Sequence, residues 1–203
     1  MNMTNVLIIG ASGNVGSHVR QTLLAKTDVK LTLFCRSANK LQVNLEREKS
    51  IAGDAAIISD LKNAMANQDF VFVALSGNLP KLADAITRAM KLTGVKRIAF
   101  ISSMGIYNEI PASVGSNGNL QVNGMLMPYR QAADIVENSG LTYTIIRPGW
   151  FTQGPVNYEL TKKGEPFGGH DVSLASIADL VKKLVENPEF GQNESLGINT
   201  PNS

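Results

Sequence analysis

The sequence predicts an α/β fold: a single-domain, Rossmann-type doubly wound parallel sheet with helices on both faces. Three observations carry this. The apolar run Val6-Leu7-Ile8-Ile9 breaks at Gly10 and crosses Gly13 and Gly16 into a segment where Val15, Val19, Leu23 and Leu24 recur at helical spacing. Apolar runs of strand length then alternate with helix-periodic segments along the chain. At 203 residues, the chain has the size of one domain with a substantial core, covering 1–203.

The first strand turns at once into a helix over 14–26. Such a turn leaves the first helical N–H groups unpaired at the positive end of the helix dipole, which suits a pyrophosphate. Gly10 permits the sharp turn, Gly13 lets backbone approach the phosphates, and Gly16 lets helix and strand pack closely. The spacing is G-x-x-G-x-x-G rather than the usual G-x-G-x-x-G.

The next strand, over 30–35, delivers Arg36 and Ser37. An NAD site places an acidic residue about 20 positions beyond the glycines, on the ribose 2′-hydroxyl. No Asp or Glu lies between Val29 and Leu45, and Arg36 holds the expected place. A guanidinium suits a 2′-phosphate, so the cofactor expected is NADP(H), with Ser37 and Lys40 as added donors.

Residues 41–48 form a short helix or an irregular connection, and a third strand over 50–54 ends in Gly53-Asp54. Asp54 either approaches the adenine or caps the following turn. A helix over 59–66 leads to a buried strand over 69–75, closed by the small residues Ser76-Gly77-Asn78. A helix starting near Pro80 stops at Gly94, and a fifth strand over 97–101 feeds Ser102-Ser103. A polar loop, a helix over 128–138, and a strand over 141–146 follow, and then Arg147-Pro148-Gly149-Trp150. A long connection reaches His170, and a helix over 174–187, capped by Ser173 or Ser176, precedes a last strand over 195–199. Segments of about 105–127 and 148–173 are the expected substrate loops. Ligands of such sheets bind outside the C-terminal strand ends, where Gly10, Arg36, Asp54, Ser76, Ser102 and Pro148 gather.

Composition narrows the function. A net charge of +2 without a Lys/Arg run argues against nucleic acid. No apolar segment reaches membrane-spanning length, and the chain start enters a strand without a basic leader. One cysteine and two distant histidines offer no zinc cluster, so no metal is expected. The expectation is a soluble cytoplasmic protein acting on a small molecule, as a monomer or homodimer.

Together these landmarks resemble the atypical short-chain dehydrogenases, in particular the small NAD(P)H-binding group that includes NmrA-like proteins and flavin/biliverdin reductases. The resemblance rests on the Gly10–Gly16 turn, Arg36-Ser37, Gly53-Asp54, Ser102-Ser103 and the block from Ser139 to Gly149. It implies that Ser12, Asn14 and Val15 line the phosphate turn and that Arg36 takes the 2′-phosphate. Asp54 then approaches the adenine, and Ala74, Leu75, Ser76 and Gly77 lie along the adenosine. Pro148, Gly149 and Trp150 border the nicotinamide.

The wider family uses a strand-five serine with a Tyr-x-x-x-Lys pair. Ser102 or Ser103 matches the serine and Tyr129 the tyrosine, but Ala133 stands at the lysine position. Without that ammonium a phenol keeps a pKa of about 10 and is a poor acid at neutral pH. Tyr107 is a second candidate if its loop folds inward, and His170 is either a proton donor or a surface residue. The leading reading is an NADPH-dependent oxidoreductase reducing a small planar acceptor: a flavin, quinone or conjugated carbonyl. For it Trp150, Phe151, Tyr158 and Phe167 are either an apolar lid or ordinary packing. The alternative is a non-catalytic NADP(H)-binding redox sensor of the NmrA-like type.

Overall fold

The computed structural model describes residues 4–203. The expectation of a leaderless chain start rests partly on residues 1–3, outside that range. The elements run β1 (Asn5–Ile9), α1 (Asn14–Lys26), β2 (Lys30–Cys35), β3 (Glu48–Ala52), α2 (Ile58–Met65), β4 (Phe70–Val73), α3 (Leu79–Thr93), β5 (Arg97–Ile101), α4 (Met127–Glu137), β6 (Thr142–Pro148), β7 (Trp150–Thr152), β8 (Glu159–Thr161), β9 (Asp171–Ser173), α5 (Leu174–Glu186) and β10 (Glu194–Asn199). Eight strands form one sheet in the order β3-β2-β1-β4-β5-β6-β10-β8. The order reverses between β1 and β4, so the switch point of the sheet lies beside Gly10.

Burial on both faces explains the unbroken apolar runs. On β1, Leu7 and Ile9 pack with α2, α3 and α4, whereas Val6 and Ile8 pack with α1 and α5. All four are fully buried. Side chains alternate between faces along a strand, so two helical layers claim every residue of β1. At about 1.5–3 kcal/mol per large apolar side chain, such strands supply much of the stability.

The helix ends follow local chemistry. Asn78 caps α3 by accepting from the Lys81 N–H at 3.3 Å, and Gly94 ends it in the left-handed conformation. Of the two possible caps for α5, Ser173 takes the role, its Oγ accepting from the Ser176 N–H at 3.0 Å. The C-terminus of α1 is closed from outside. The Arg47 guanidinium donates to the carbonyls of Leu24, Thr27 and Val29 at 2.9, 2.6 and 3.0 Å. The Leu24 and Thr27 carbonyls are acceptors that the helix end leaves unpaired, and Val29 lies in the connection to β2. Glu48, the first residue of β3, accepts from Arg20 of α1 at 2.6 Å.

Of the two readings for 41–48, the structure takes the irregular connection, which runs over 41–47 after a 3-10 turn at Ala38–Lys40. The sequence reading needs correcting in one place. The connection after β6 carries three short strands not foreseen in the sequence. β8 runs antiparallel to β10 at the sheet edge, and β7 pairs in parallel with β9 as a separate ribbon. Strands of three residues are too short to show a period. Among the described residues, no helix is long and apolar enough to cross a membrane.

Candidate functional site

At the switch point the chain makes a turn that only glycine tolerates. Gly10 has φ +93°, and a Cβ there would lie 2.1 Å from the Ala74 carbonyl oxygen of β4's end. A Cβ on Gly16 would lie 2.2 Å from the Gly10 carbonyl oxygen, so the third glycine brings α1 against the turn. Gly13 differs, since its Cβ direction meets only the Gly10 oxygen at 3.3 Å. It occupies the N-cap of α1, with no side-chain cap and no acidic residue in the first turn. Ser12, Gly13 and Asn14 are exposed at this helix start, where the Gly13 N–H donates to the Gly10 carbonyl at 3.0 Å. Val15, by contrast, is buried in the core shared with α5, leaving only its backbone for the turn.

From this turn a cleft of about 360 Å³ runs across the ends of β1, β2, β3 and β4. Its volume falls within the range of small-molecule sites. Among the residues expected from the sequence, Gly10, Ser12, Gly13, Arg36, Ser37, Asp54, Ala74, Leu75 and Ser76 line it. Gly77, exposed at φ +99°, lies beyond it, as do Asn14, Val15 and Gly16.

Arg36 is exposed at the far end and makes no ion pair among the described residues. Asp54 serves its turn as well as the cleft: its Oδ1 accepts from the Ala56 N–H at 2.9 Å. The sequence reading missed the apolar wall of Ile9, Phe34, Ala55 and Leu82, together with Cys35 and Gly53. Phe34 and Leu82 read only as core positions, because a cleft wall and a core share the same periodicity. Gly53 permits close approach here, since a Cβ would lie 2.5 Å from the Phe34 ring.

The ends of β5 and β6 are built differently. Ser102 is buried, and its Oγ donates to the Tyr129 carbonyl oxygen at 3.3 Å rather than facing the phenol. Ser103 Oγ donates to the Met104 carbonyl at 3.0 Å. Tyr129 is half-buried against the core beneath α3 and α4, and Ala133, one turn on, is fully buried there. Both serine hydroxyls are thus directed to main-chain carbonyls rather than to the Tyr129 phenol, and the expected lysine position belongs to the core. Pro148 and Gly149 are buried: the Pro148 carbonyl accepts from the Met104 N–H at 3.1 Å, and the Gly149 Cβ direction is filled by the His170 carbonyl. Neither lines the cleft.

Tyr107 folds away as well. Its hydroxyl donates to Glu137, and burial, followed by that hydrogen bond, pushes its pKa well above the ordinary phenol value. The largest fully buried side chain is Arg147, from the Ser139–Gly149 block. Its guanidinium pairs with Glu109 and donates through Nε to Ser195 Oγ at 3.1 Å. It also stacks on Tyr107 and Phe167 at 5.2 and 5.4 Å. Glu109 in turn accepts from the Gly105 and Tyr107 N–H groups at 3.1 and 2.8 Å.

The four aromatics separate into two pairs. Phe167 is buried with Met104 and Ile110, and the Tyr158 hydroxyl donates to Asp179 at 3.0 Å, so neither acts as a lid. Trp150 and Phe151 remain exposed. His170, which seemed without a partner in sequence, has one: Nδ1 lies 2.6 Å from Asp171 Oδ1, and its ring stacks on Trp150 at 5.9 Å.

Comparison with known proteins agrees with this geometry. A family model described as NAD(P)H-binding matches residues 10–188. A Rossmann-fold NAD(P)-binding family protein from Shigella flexneri is 38% identical and superposes with a TM-score of 0.86, covering 100% of this chain and 96% of its own. A short-chain dehydrogenase/reductase from Veillonella parvula DSM 2008, solved in complex with NADP, shares the fold at 24% identity, with a TM-score of 0.89 over 98% of this chain and 96% of that one. An NAD(P)H azoreductase from Xenophilus azovorans is 27% identical over 189 residues, covering 89% of this chain. The chain spans 62% of that relative's length. These matches bear out the resemblance to the small NAD(P)H-binding group.

Proposed function

The chain belongs to the NAD(P)H-binding family, and from that premise we propose that it is an NADPH-dependent oxidoreductase reducing a small planar acceptor. One observation carries the reading. The cleft has an uncapped helix N-terminus at one end and the unpaired Arg36 guanidinium at the other. That donor set fits a dinucleotide carrying a third phosphate. The backbone of 12–15 holds the pyrophosphate, Gly10 and Gly13 admit it, and Gly16 seats the helix that presents those N–H groups. Arg36, with Ser37 beside it, takes the 2′-phosphate in charge-assisted hydrogen bonds. Asp54 meets the adenine edge, Ala74, Leu75, Ser76 and Gly77 follow the adenosine, and Pro148 and Gly149 border the nicotinamide.

The cofactor supplies hydride when bound; the protein's task is to align an acceptor with it and exclude water. Among the described residues nine large apolar side chains are exposed, and six of them lie in two segments. Val122, Met125 and Met127 precede or open α4, and Trp150, Phe151 and Val156 follow β6. Both segments rise from adjacent strands, β5 and β6, at their C-terminal ends. An apolar rim there favours a flat, poorly hydrated acceptor, and the azoreductase relative points the same way.

The test is titration of the protein with NADPH and NADH, wild type beside Arg36→Ala. The expected result is a clear NADPH preference, of which the variant loses about 1.5–3 kcal/mol, the scale of hydrogen bonds to charged groups. Equal binding of both cofactors by the wild type removes Arg36 from the site. Failure to bind either one overturns the reading. The redox-sensor alternative is favoured by the burial of Ala133. It predicts tight NADPH binding with no turnover across flavins, quinones and azo dyes.

A further inference from the structure

We propose that His170 is the proton donor of this site, oriented by Asp171 and held flat against Trp150. It serves acceptors that need a proton together with their hydride, such as an azo bond. The proposal rests on the oxidoreductase reading above and goes beyond it by assigning the acid that the incomplete Tyr-x-x-x-Lys pair leaves open.

The placement comes first. Trp150 directly follows Pro148-Gly149 at the C-terminal end of β6, where Ile146 pairs with Ile101 of β5. The backbone there is pinned: the Trp150 N–H donates to the His170 carbonyl at 2.8 Å, and Trp150 pairs with Asp171 across the β7–β9 ribbon. The His170 ring therefore lies on the same sheet edge as Ser102 and Gly149, with an interplanar angle of 11° to the indole. Both side chains remain partly open to solvent, which lets an acceptor reach them.

Asp171 fixes the direction of the ring. With Nδ1 turned to Asp171 Oδ1 at 2.6 Å, Nε2 is left as the ring nitrogen without a hydrogen bond among the described residues. A carboxylate on the far nitrogen holds the tautomer and steadies the imidazolium. No other charged side chain pairs with the ring among the described residues; from the C-terminal segment the Ser203 main-chain oxygen accepts from the His170 N–H at 3.0 Å and Ser203 Oγ from the Asp171 N–H at 2.9 Å.

Elimination leaves the same residue. Ser102 and Ser103 donate to backbone carbonyls, Tyr107 is committed to Glu137, and Tyr129 has buried Ala133 where an ammonium would stand. His170, at the same edge, keeps an imidazole nitrogen unpaired among the described residues.

The step balances on the acceptor. An azo N=N bond takes a hydride on one nitrogen and the His170 Nε2 proton on the other, becoming a hydrazo N–N bond, and the imidazole recovers its proton from water. The acceptor is reduced, and the nicotinamide is oxidised. A flavin, by contrast, leaves as an anionic hydroflavin and needs no proton in the same step.

The test combines binding and turnover, using His170→Gln and Asp171→Asn with thermal unfolding as a check on folding. Trp150 is the only tryptophan and His18 and His170 the only histidines, so both probes report single positions. We expect NADP+, whose nicotinium ring quenches indole on contact, to quench Trp150, and 2′,5′-ADP, which lacks the ring, not to. NADP+ is also expected to shift the proton NMR signal lost in His170→Gln. In turnover, the ratio of azo-dye to FMN reduction should fall about 100-fold or more in His170→Gln, and by less in Asp171→Asn. If NADP+ binds but leaves Trp150 and the His170 signal unmoved, or if the ratio is unchanged, the assignment of His170 is overturned while the cofactor reading stands. If NADP(H) does not bind at all, both fall.

Discussion

The Arg147 guanidinium and the Glu109 carboxylate form an ion pair in which neither side chain reaches solvent to more than 2%. Arg147 is the last residue but one of β6, whereas Glu109 lies in the loop after β5 and takes up the Gly105 and Tyr107 N–H groups. The Phe167 N–H donates to the Glu109 carbonyl at 3.1 Å. The two expected substrate loops are therefore joined through one charge pair. Removing one partner of such a pair strands a buried charge. Glu109→Ala is expected to cost about 3–5 kcal/mol in urea unfolding, and a loss below about 1 kcal/mol would mean that water reaches Arg147.

The three glycines of the first turn should separate in their effects. Gly16→Ala drives a Cβ into the Gly10 carbonyl and is expected to destabilise by about 1–3 kcal/mol or more. Gly13 has φ −78°, and an added methyl group would meet only the Gly10 carbonyl oxygen, in a tight contact of 3.3 Å. Gly13→Ala should cost far less in melting temperature than Gly16→Ala while weakening NADPH about tenfold, because the methyl group holds the pyrophosphate off the turn and weakens its hydrogen bonds. Calorimetric melting and titration on both variants check this, and equal melting losses would contradict it.

Restoring the family's lysine should fail. Ala133→Lys forces an ammonium into a fully buried slot between α3 and α4. The expected result is a variant destabilised by several kcal/mol, seen as a lowered circular dichroism melt, with no gain in reductase turnover. A stable, faster variant would place Tyr129 back in the chemistry.

Glu48 predicts the acid behaviour. Burial by itself raises its pKa, but the Arg20 hydrogen bond and the Asn44 N–H outweigh this and leave it below the usual carboxylate value. A carboxyl whose folded pKa is depressed stabilises the protein above its unfolded pKa, and that contribution is lost as pH falls through the folded value. Wild type should therefore exceed Glu48→Gln in urea midpoint at neutral pH, with the two curves converging in acid. Parallel curves would remove Glu48 as a source of acid sensitivity.

The sequence was most legible where one residue type has one physical use. Gly10 and Gly16 could be read because no other residue fits their backbone, and Arg36 because its charge replaces an expected carboxylate. The strands β1, β2 and β5 and the helix α1 showed their full period. What stayed hidden depends on distant parts of the chain. The Arg147–Glu109 pair spans 38 positions, so Arg147 read as part of a motif rather than as a buried hub. His170 seemed unaccompanied because the β7–β9 ribbon that brings Trp150 to it consists of three-residue strands. Tyr129 and Ala133 appeared as an incomplete pair, whereas the packing of α4 on α3 decides which face they serve.

The strand order also determines how copies of this chain can meet. The sheet ends at β3 on one side and β8 on the other. Unpaired edge strands invite a neighbour's strand, the first step towards aggregation. Here β3 begins Glu48-Lys49, with Arg20 clamped on the glutamate, while β8 lasts three residues before Lys162-Lys163. Charge guards one border and brevity the other. Extension of the sheet from copy to copy is thus disfavoured at both ends, and the chain resists fibrous self-association without closing its sheet into a barrel.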